Sequence, residues 1–247
     1  MMVLIFGGME GRIMCNFFWS YQDLGIPPLA NSKYGLLYNW YAATGGSFVA
    51  GWHLPTNAEI IALSTYLDAA TNSSIYGTVS TSSGGYLKQT GTTYWNPPNT
   101  GATNSTGYTS RANGERLHSD GTFYAMGASS WYWSSSLYSS YPVRFNFSSA
   151  DASFIRTSDY HKKGMGIRLI CDSSTDPGYV DIDGKRYTTV KIGDQVWMAE
   201  NLQARHYSDG TPIPFHGTDN GDNFTNAEWA ALTTPGLCAY NNDISNE

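Results

Sequence analysis

Gly51-Trp52-His53-Leu54-Pro55-Thr56-Asn57-Ala58-Glu59-Ile60 is the stretch that decides the fold. It reads as a short apolar strand end running straight into a capped helix. Thr56 and Glu59 have the spacing of a capping box: the Thr56 hydroxyl accepts from the Glu59 amide, and the Glu59 carboxylate reaches back to the Thr56 amide. Ile60, Leu63 and Leu67 follow at helical spacing, giving the helix one apolar face. Thr-Asn-Ala-Glu returns at Thr225 to Glu228, a second helix start of the same chemistry.

Around this stretch the chain has the composition of a strand- and turn-rich protein. Only 14% of its 247 residues are charged, against roughly 25% in ordinary soluble domains. Aromatics make up 15%, including 18 Tyr and 8 Trp. Such a mixture suits short strands and many turns rather than a helical bundle, and it matches the Tyr/Ser/Gly/Asn usage of binding surfaces; rings filling a β-rich core account for it equally well. A net charge of −6 without a basic cluster argues against nucleic-acid partners. No run approaches the ~18 apolar residues of a membrane span. Met1 to Phe6 is apolar but short, lacks a basic flank and meets Gly7-Gly8 and Glu10 at once, so it is a poor signal peptide. Cys15, Cys171 and Cys238 lack zinc-site spacing; three buried thiols, or one disulfide with a free thiol, both remain open.

Along the chain, residues 1–33 carry no clear pattern, and 34–43 fits strand or helix. Residues 71–110 form a long Ser/Thr/Gly/Asn-rich excursion. Its Tyr86, Leu87, Tyr94 and Trp95 predict that it is ordered and packed. Residues 122–170 read as short strands: Phe123 to Met126, Trp131 to Trp133, Val143 to Phe147, Phe154 to Arg156 and Ile167 to Ile170. Val143, Phe145 and Phe147 alternate with Arg144, Asn146 and Ser148, which puts the first three inside and Arg144 and Asn146 outside. Residues 173–178 read as a linker. A β-meander follows, with an Asp183-Gly184 hairpin turn and a Gly193-Asp194 turn.

Gly51 to Thr56 with Glu59, Tyr86-Leu87-Lys88, Trp95, Asn99 to Asn104 with Gly107-Tyr108, Trp133 to Ser136 and Gly164 to Arg168 occur in one order over residues 34–172. That order resembles the Fibrobacter succinogenes major paralogous domain. The resemblance implies an α+β, C-type-lectin-like fold: a small twisted antiparallel sheet with a few helices and long loops. It also implies kinship with formylglycine-generating-enzyme-like domains and with the variable proteins of diversity-generating retroelements. Asp181 to Leu202 and Asp209 to Pro214 resemble the beginning of the same domain, yet follow its end; Cys238 to Asp243 resembles what precedes Tyr34. Two arrangements fit: a truncated tandem copy, or a circular permutation in which 179–247 completes 34–172. The expectation is that the two pieces pack together, with the 179–198 meander against the strand at 166–171.

The expected chemistry is recognition rather than catalysis. His53, His118, His161, His206 and His216 have no metal-ligand spacing, and each is read as a surface or hydrogen-bonded histidine. Formylglycine-generating enzymes use a cysteine pair late in the domain, where this chain has Cys171 alone, so that activity is not carried over. No cofactor is expected. Calcium is raised only by the lectin-like resemblance; Asp219 to Asn223 is oxygen-rich but lacks EF-hand spacing and reads as a solvated turn. In the retroelement-diversified relatives the variable residues lie near the C-terminal end of the fold. The matching region here holds Tyr138, Tyr141, Arg144, Asn146, Asp151, Phe154, Arg156, Asp159, Tyr160 and His161. These are the candidate ligand-binding residues, the alternative being an ordinary solvated sheet face. The implied function is a non-enzymatic module of a bacterial or phage surface or secreted protein, binding a protein or glycan through 131–163. A structural or adhesive surface array without a dedicated ligand site is the second reading. Nothing in the sequence sets the oligomeric state.

Overall fold

The Thr56 hydroxyl accepts the Glu59 amide at 3.3 Å, and the Glu59 carboxylate accepts the Thr56 amide at 2.7 Å, so the first capping box is formed. The Thr225–Glu228 box is built in the same way. Both belong to a computed structural model that describes residues 33–217 and 224–247. The N-terminal segment with Cys15, and the Asp219 to Asn223 turn, lie outside the described residues.

In chain order the first half contains β1 (Leu37–Tyr38), α1 (Trp40–Thr44), β2 (Trp52–His53), α2 (Asn57–Leu67), β3 (Gly77–Ser80) and α3 (Ser83–Leu87). The segment 34–43, ambiguous by periodicity, is thus a strand and then a helix, with the Asn39 side chain capping the helix start. After the long loop come β4 (Asn113–Arg116), β5 (Phe123–Met126), β6 (Ser129–Tyr138), β7 (Tyr141–Ser148), β8 (Phe154–Ser158) and β9 (Ile170–Cys171). Residues 179–247 add β10 (Tyr179–Val180), β11 (Arg186–Tyr187), β12 (Thr189–Ile192), β13 (Gln195–Met198), α4 (Asn226–Ala231) and β14 (Leu237–Cys238).

The architecture is mixed α+β, with most of the regular structure in strands. It is not built on one small antiparallel sheet. A six-stranded sheet runs β3-β8-β7-β6-β4-β5, and a four-stranded sheet runs β12-β13-β9-β2. The β4–β6 contact is parallel, Gly114 opposite Ser130. From Ser130 to Ser134, β6 is buried on both faces because its alternating rings serve different cores. Trp131 and Trp133 join a cluster with Trp52, Ile167, Leu169, Val196 and Met198. Tyr132 joins one with Ile60, Leu63, Phe145, Phe147, Phe154 and Trp197. The long loop is packed as its aromatics predict. Trp95 is buried and its indole donates to the Ser110 carbonyl at 2.9 Å. At the start of that region Gly84 and Gly85 leave no room for a side chain: a Cβ there would collide with the Ser153 and Gly101 carbonyl oxygens.

Residues 179–247 share these cores. β13 pairs with β9 through Trp197 opposite Ile170, and β14 pairs with β1 through Cys238 opposite Leu37. The buried Arg168 guanidinium donates to the Tyr108 carbonyl at 2.6 Å, the Thr109 and Met198 carbonyls at 3.0 Å, and the Asn201 side chain at 2.5 Å. It therefore ties the long loop, the segment before β9 and the end of β13 with the residues after it at one point. Cys171 and Cys238 are both buried.

Candidate functional site

The end of the six-stranded sheet where β6 turns into β7 gathers exposed rings. Ser139 and Ser140 form the two-residue turn, Ser139 with a φ of 55°, and Tyr138 stands opposite Tyr141 at the tip. The Tyr138 ring lies 3.9 Å from that of Tyr76, which arrives on the loop before β3. Tyr141 meets Tyr160 edge-on at 5.4 Å, and Tyr160 stacks on His118 at 3.8 Å. The result is a row of two ring groups, Tyr76–Tyr138 and Tyr141–Tyr160–His118, set side by side by the Tyr138–Tyr141 cross-strand pair and drawn from four separate parts of the chain. Tyr138, Tyr141 and Tyr160 keep 51%, 44% and 48% of their surface in solvent, and Leu137 keeps 50%, so the row is an outer surface and not a core.

A cluster of paired charges adjoins the row at Tyr160, which directly follows Asp159. Arg144 meets Asp159 at 3.0 Å, Lys163 meets Asp159 at 3.1 Å, and Lys163 meets Glu115 at 2.8 Å. Two cations and two carboxylates close on one another, leaving the local charge balanced. Burial pushes the Glu115 carboxyl upward against the pull of Lys163. Burial likewise lowers the His118 and His161 imidazoles. A neutral His118 ring is the form that stacks on Tyr160 without desolvating a charge.

The ten sequence-derived candidates divide. Tyr138, Tyr141, Arg144, Asp159 and Tyr160 come together at this end of the sheet. His161 lies beside them, stacked on Tyr41 at 5.6 Å and edge-on to Trp40 at 5.0 Å. Asn146 is buried rather than outward, accepting from the Arg144 guanidinium at 2.5 Å. β7 is a central strand, and its second face is covered by this polar layer instead of by water. Phe154 is wholly buried, stacked on Phe145 at 5.6 Å, so it belongs to the core. Arg156 is buried too. It donates to the Asn57 side chain and to the Ser73 and Ile75 carbonyls, with its guanidinium 4.3 Å from the Tyr76 ring. It holds the loop that carries Tyr76 and does not face solvent. Asp151 is exposed but sits in the β7–β8 turn, at the opposite end of β7 from Tyr141. There its carboxylate caps the Ser153 amide. Tyr76, Leu137 and His118 were missed because the sequence places two of them far from 131–163, and no local pattern links them to it.

The other histidines fit their reading as hydrogen-bonded groups where the structure pairs them. His53 lies between Glu59 and Asp172, and His206 meets Asp183 at 2.5 Å. Among the described residues no three His, Cys, Asp or Glu side chains are placed to hold a metal ion. No described helix is long and apolar enough to cross a membrane.

Residues 26–170, more than half of the chain, match the Fibrobacter succinogenes major domain. The chain belongs to that family. No curated protein and no solved structure matches it. The matched Fibrobacter major domain contains the whole tyrosine row. Its span stops at Ile170, inside β9, so the strands β13 and β14 that complete its sheets come from outside the match.

Proposed function

We propose that this Fibrobacter major domain chain is a non-enzymatic recognition module on a C-type-lectin-like scaffold, displayed at a bacterial or phage surface or secreted. Its ligand is a protein, bound through the Tyr76–Tyr138–Tyr141–Tyr160 row without metal or cofactor. The observation that carries this reading is the row itself: four tyrosines, each braced by a neighbouring ring, standing in solvent beside charges that are already paired. Braced tyrosines give contact area at low entropy cost, and such rings dominate binding energy at protein interfaces. A glycan is the weaker fit. Stacking a sugar needs open ring faces, whereas Tyr76 is covered by Arg156 and Tyr138, and Tyr160 by His118. Leu137 and Ile75 beside the row add aliphatic surface of the kind protein contacts use.

The test is parallel probing of immobilised surface proteins and immobilised glycans with the wild-type chain and with a Tyr138→Ala/Tyr160→Ala variant. Protein binding at least about 100-fold weaker in the variant is the expected result, as for the loss of two interface anchors. Binding confined to glycans, or protein binding that survives both substitutions, would defeat the assignment and favour the surface-array reading.

A further inference from the structure

His53 is held on both sides by carboxylates. Its Nδ1 lies 2.5 Å from Asp172 Oδ1, and its Nε2 lies 2.9 Å from Glu59 Oε1. A neutral imidazole carries one N–H and one lone pair, so it can donate to only one of these oxygens; an imidazolium donates to both. The two partners belong to different elements. Glu59 is the third residue of α2 and closes its capping box, while Asp172 directly follows β9 and precedes the linker 173–178, of which 174–178 are exposed. His53 itself is the β2 residue paired with Ile170 of β9. Among the described residues, Glu59 and Asp172 are the charged groups acting on the ring, and the cleft beside it is lined by Thr44, Ser47, Phe48, Trp52, Leu54 and Ser135.

We propose that the Glu59–His53–Asp172 triplet is a pH-sensitive clasp, closed when His53 is protonated, that fastens the start of the 173–178 linker to α2. The linker joins the family-matched region to the segment that supplies β13 to β9, so the clasp sits where the two parts of the fold are joined. Hydrogen bonding to Glu59 raises the His53 imidazole above its usual value; burial opposes this and the Asp172 bond adds to it. Burial pushes the Glu59 carboxyl up, but bonds from His53 and from the Thr56 amide and hydroxyl outweigh it and leave it at about 2. A base with a raised folded-state pKa contributes fully below its unfolded value, here about 6.5, and its contribution is lost as pH climbs through the raised value. The clasp is therefore closed in mild acid and opens toward alkaline pH. The ring and both carboxylates are partly exposed, so solvent screens the pair and the effect is modest.

Two measurements on the full chain test the clasp. NMR titration of the His53 ring should give a midpoint above about 6.5. Proteinase K cleavage within 173–178, normalised to a free peptide of the same sequence, should speed up about three- to tenfold between about pH 6 and pH 9, since each unit of raised pKa is worth at most tenfold. His53→Gln should flatten that rise and cleave at the fast rate at both pH values. Asp172→Asn keeps a hydrogen-bonding side chain and should also flatten it, which guards against a folding defect in the first variant. A His53 midpoint at or below about 6.5, or a pH ratio in wild type equal to that in both variants, would overturn the proposal.

Discussion

Replacing Lys88 with Met removes one ammonium and leaves three backbone carbonyls without a donor. The Lys88 side chain is wholly buried, and its Nζ donates to the carbonyls of Thr100 at 2.9 Å, Ser148 at 2.7 Å and Asp151 at 2.6 Å. Those oxygens lie on the long loop, at the end of β7 and in the β7–β8 turn. One charge thus fastens a loop without regular structure to the central sheet. Methionine fills most of the same volume, so the change tests the hydrogen bonds more than the packing. Each orphaned buried acceptor costs about 1–3 kcal/mol, and no longer desolvating the ammonium returns part of the total. Water can also reach the exposed β7–β8 turn, which brings the net to about 3–5 kcal/mol. At ~2–4 °C per kcal/mol for a chain of this size, the unfolding midpoint should fall by about 10 °C. Near-ultraviolet circular dichroism and calorimetry read that midpoint, and hydrogen exchange should find the loss of protection concentrated at 99–107. A Met variant within about 1 kcal/mol of wild type would show that the ammonium is not what holds the loop.

The remaining predictions concern the join between 34–172 and 179–247. Arg168→Met should destabilise the chain by about 3–5 kcal/mol, because four acceptors on two other segments lose one buried guanidinium; urea unfolding measures it, and a change below about 1 kcal/mol would remove Arg168 from this role. A chain ending at Asp172 should fail to fold, since it loses Val196, Trp197, Met198, Leu202 and Trp229, all wholly buried. At ~1.5–3 kcal/mol per buried side chain that loss reaches about 8–15 kcal/mol, the full stability of an ordinary domain. Cooperative unfolding or dispersed amide resonances from the truncated chain would refute it.

What the sequence reveals follows from how local the governing chemistry is. Both capping boxes were legible because hydroxyl and carboxylate sit three residues apart. The inward set Val143, Phe145 and Phe147 was legible because alternation is a property of one strand. The Asp183-Gly184 and Gly193-Asp194 turns were legible because positive-φ glycines mark them. Burial of the other face of β7 was not. Whether Asn146 and Arg156 meet water or protein depends on Asp159, Lys163, Glu115 and the 73–76 loop, which arrive from elsewhere in the chain. Phe154 was assigned to the binding surface for its aromatic character; it is a core residue because β8 lies between β3 and β7 with that side chain turned toward Phe145 and Phe147. Of the candidate site, the hairpin-tip tyrosines could be named in advance, while Tyr76 and His118 enter only through tertiary packing.

The same distinction separates what can vary on this scaffold from what cannot. Tyr138, Tyr141 and Leu137 project from a two-residue turn, and no core contains them. Arg144, Asn146, Asp159 and Lys163 lie on one side of the sheet, each satisfied by another member of the set, so changing one strands its partner in a buried place. On the other face of β7, Tyr132, Phe145, Phe147 and Phe154 are close-packed, and any change of volume is felt there. Tolerance to substitution therefore falls from the exposed hairpin tip to the two buried faces of β7, one closed by paired charges and the other by packed rings.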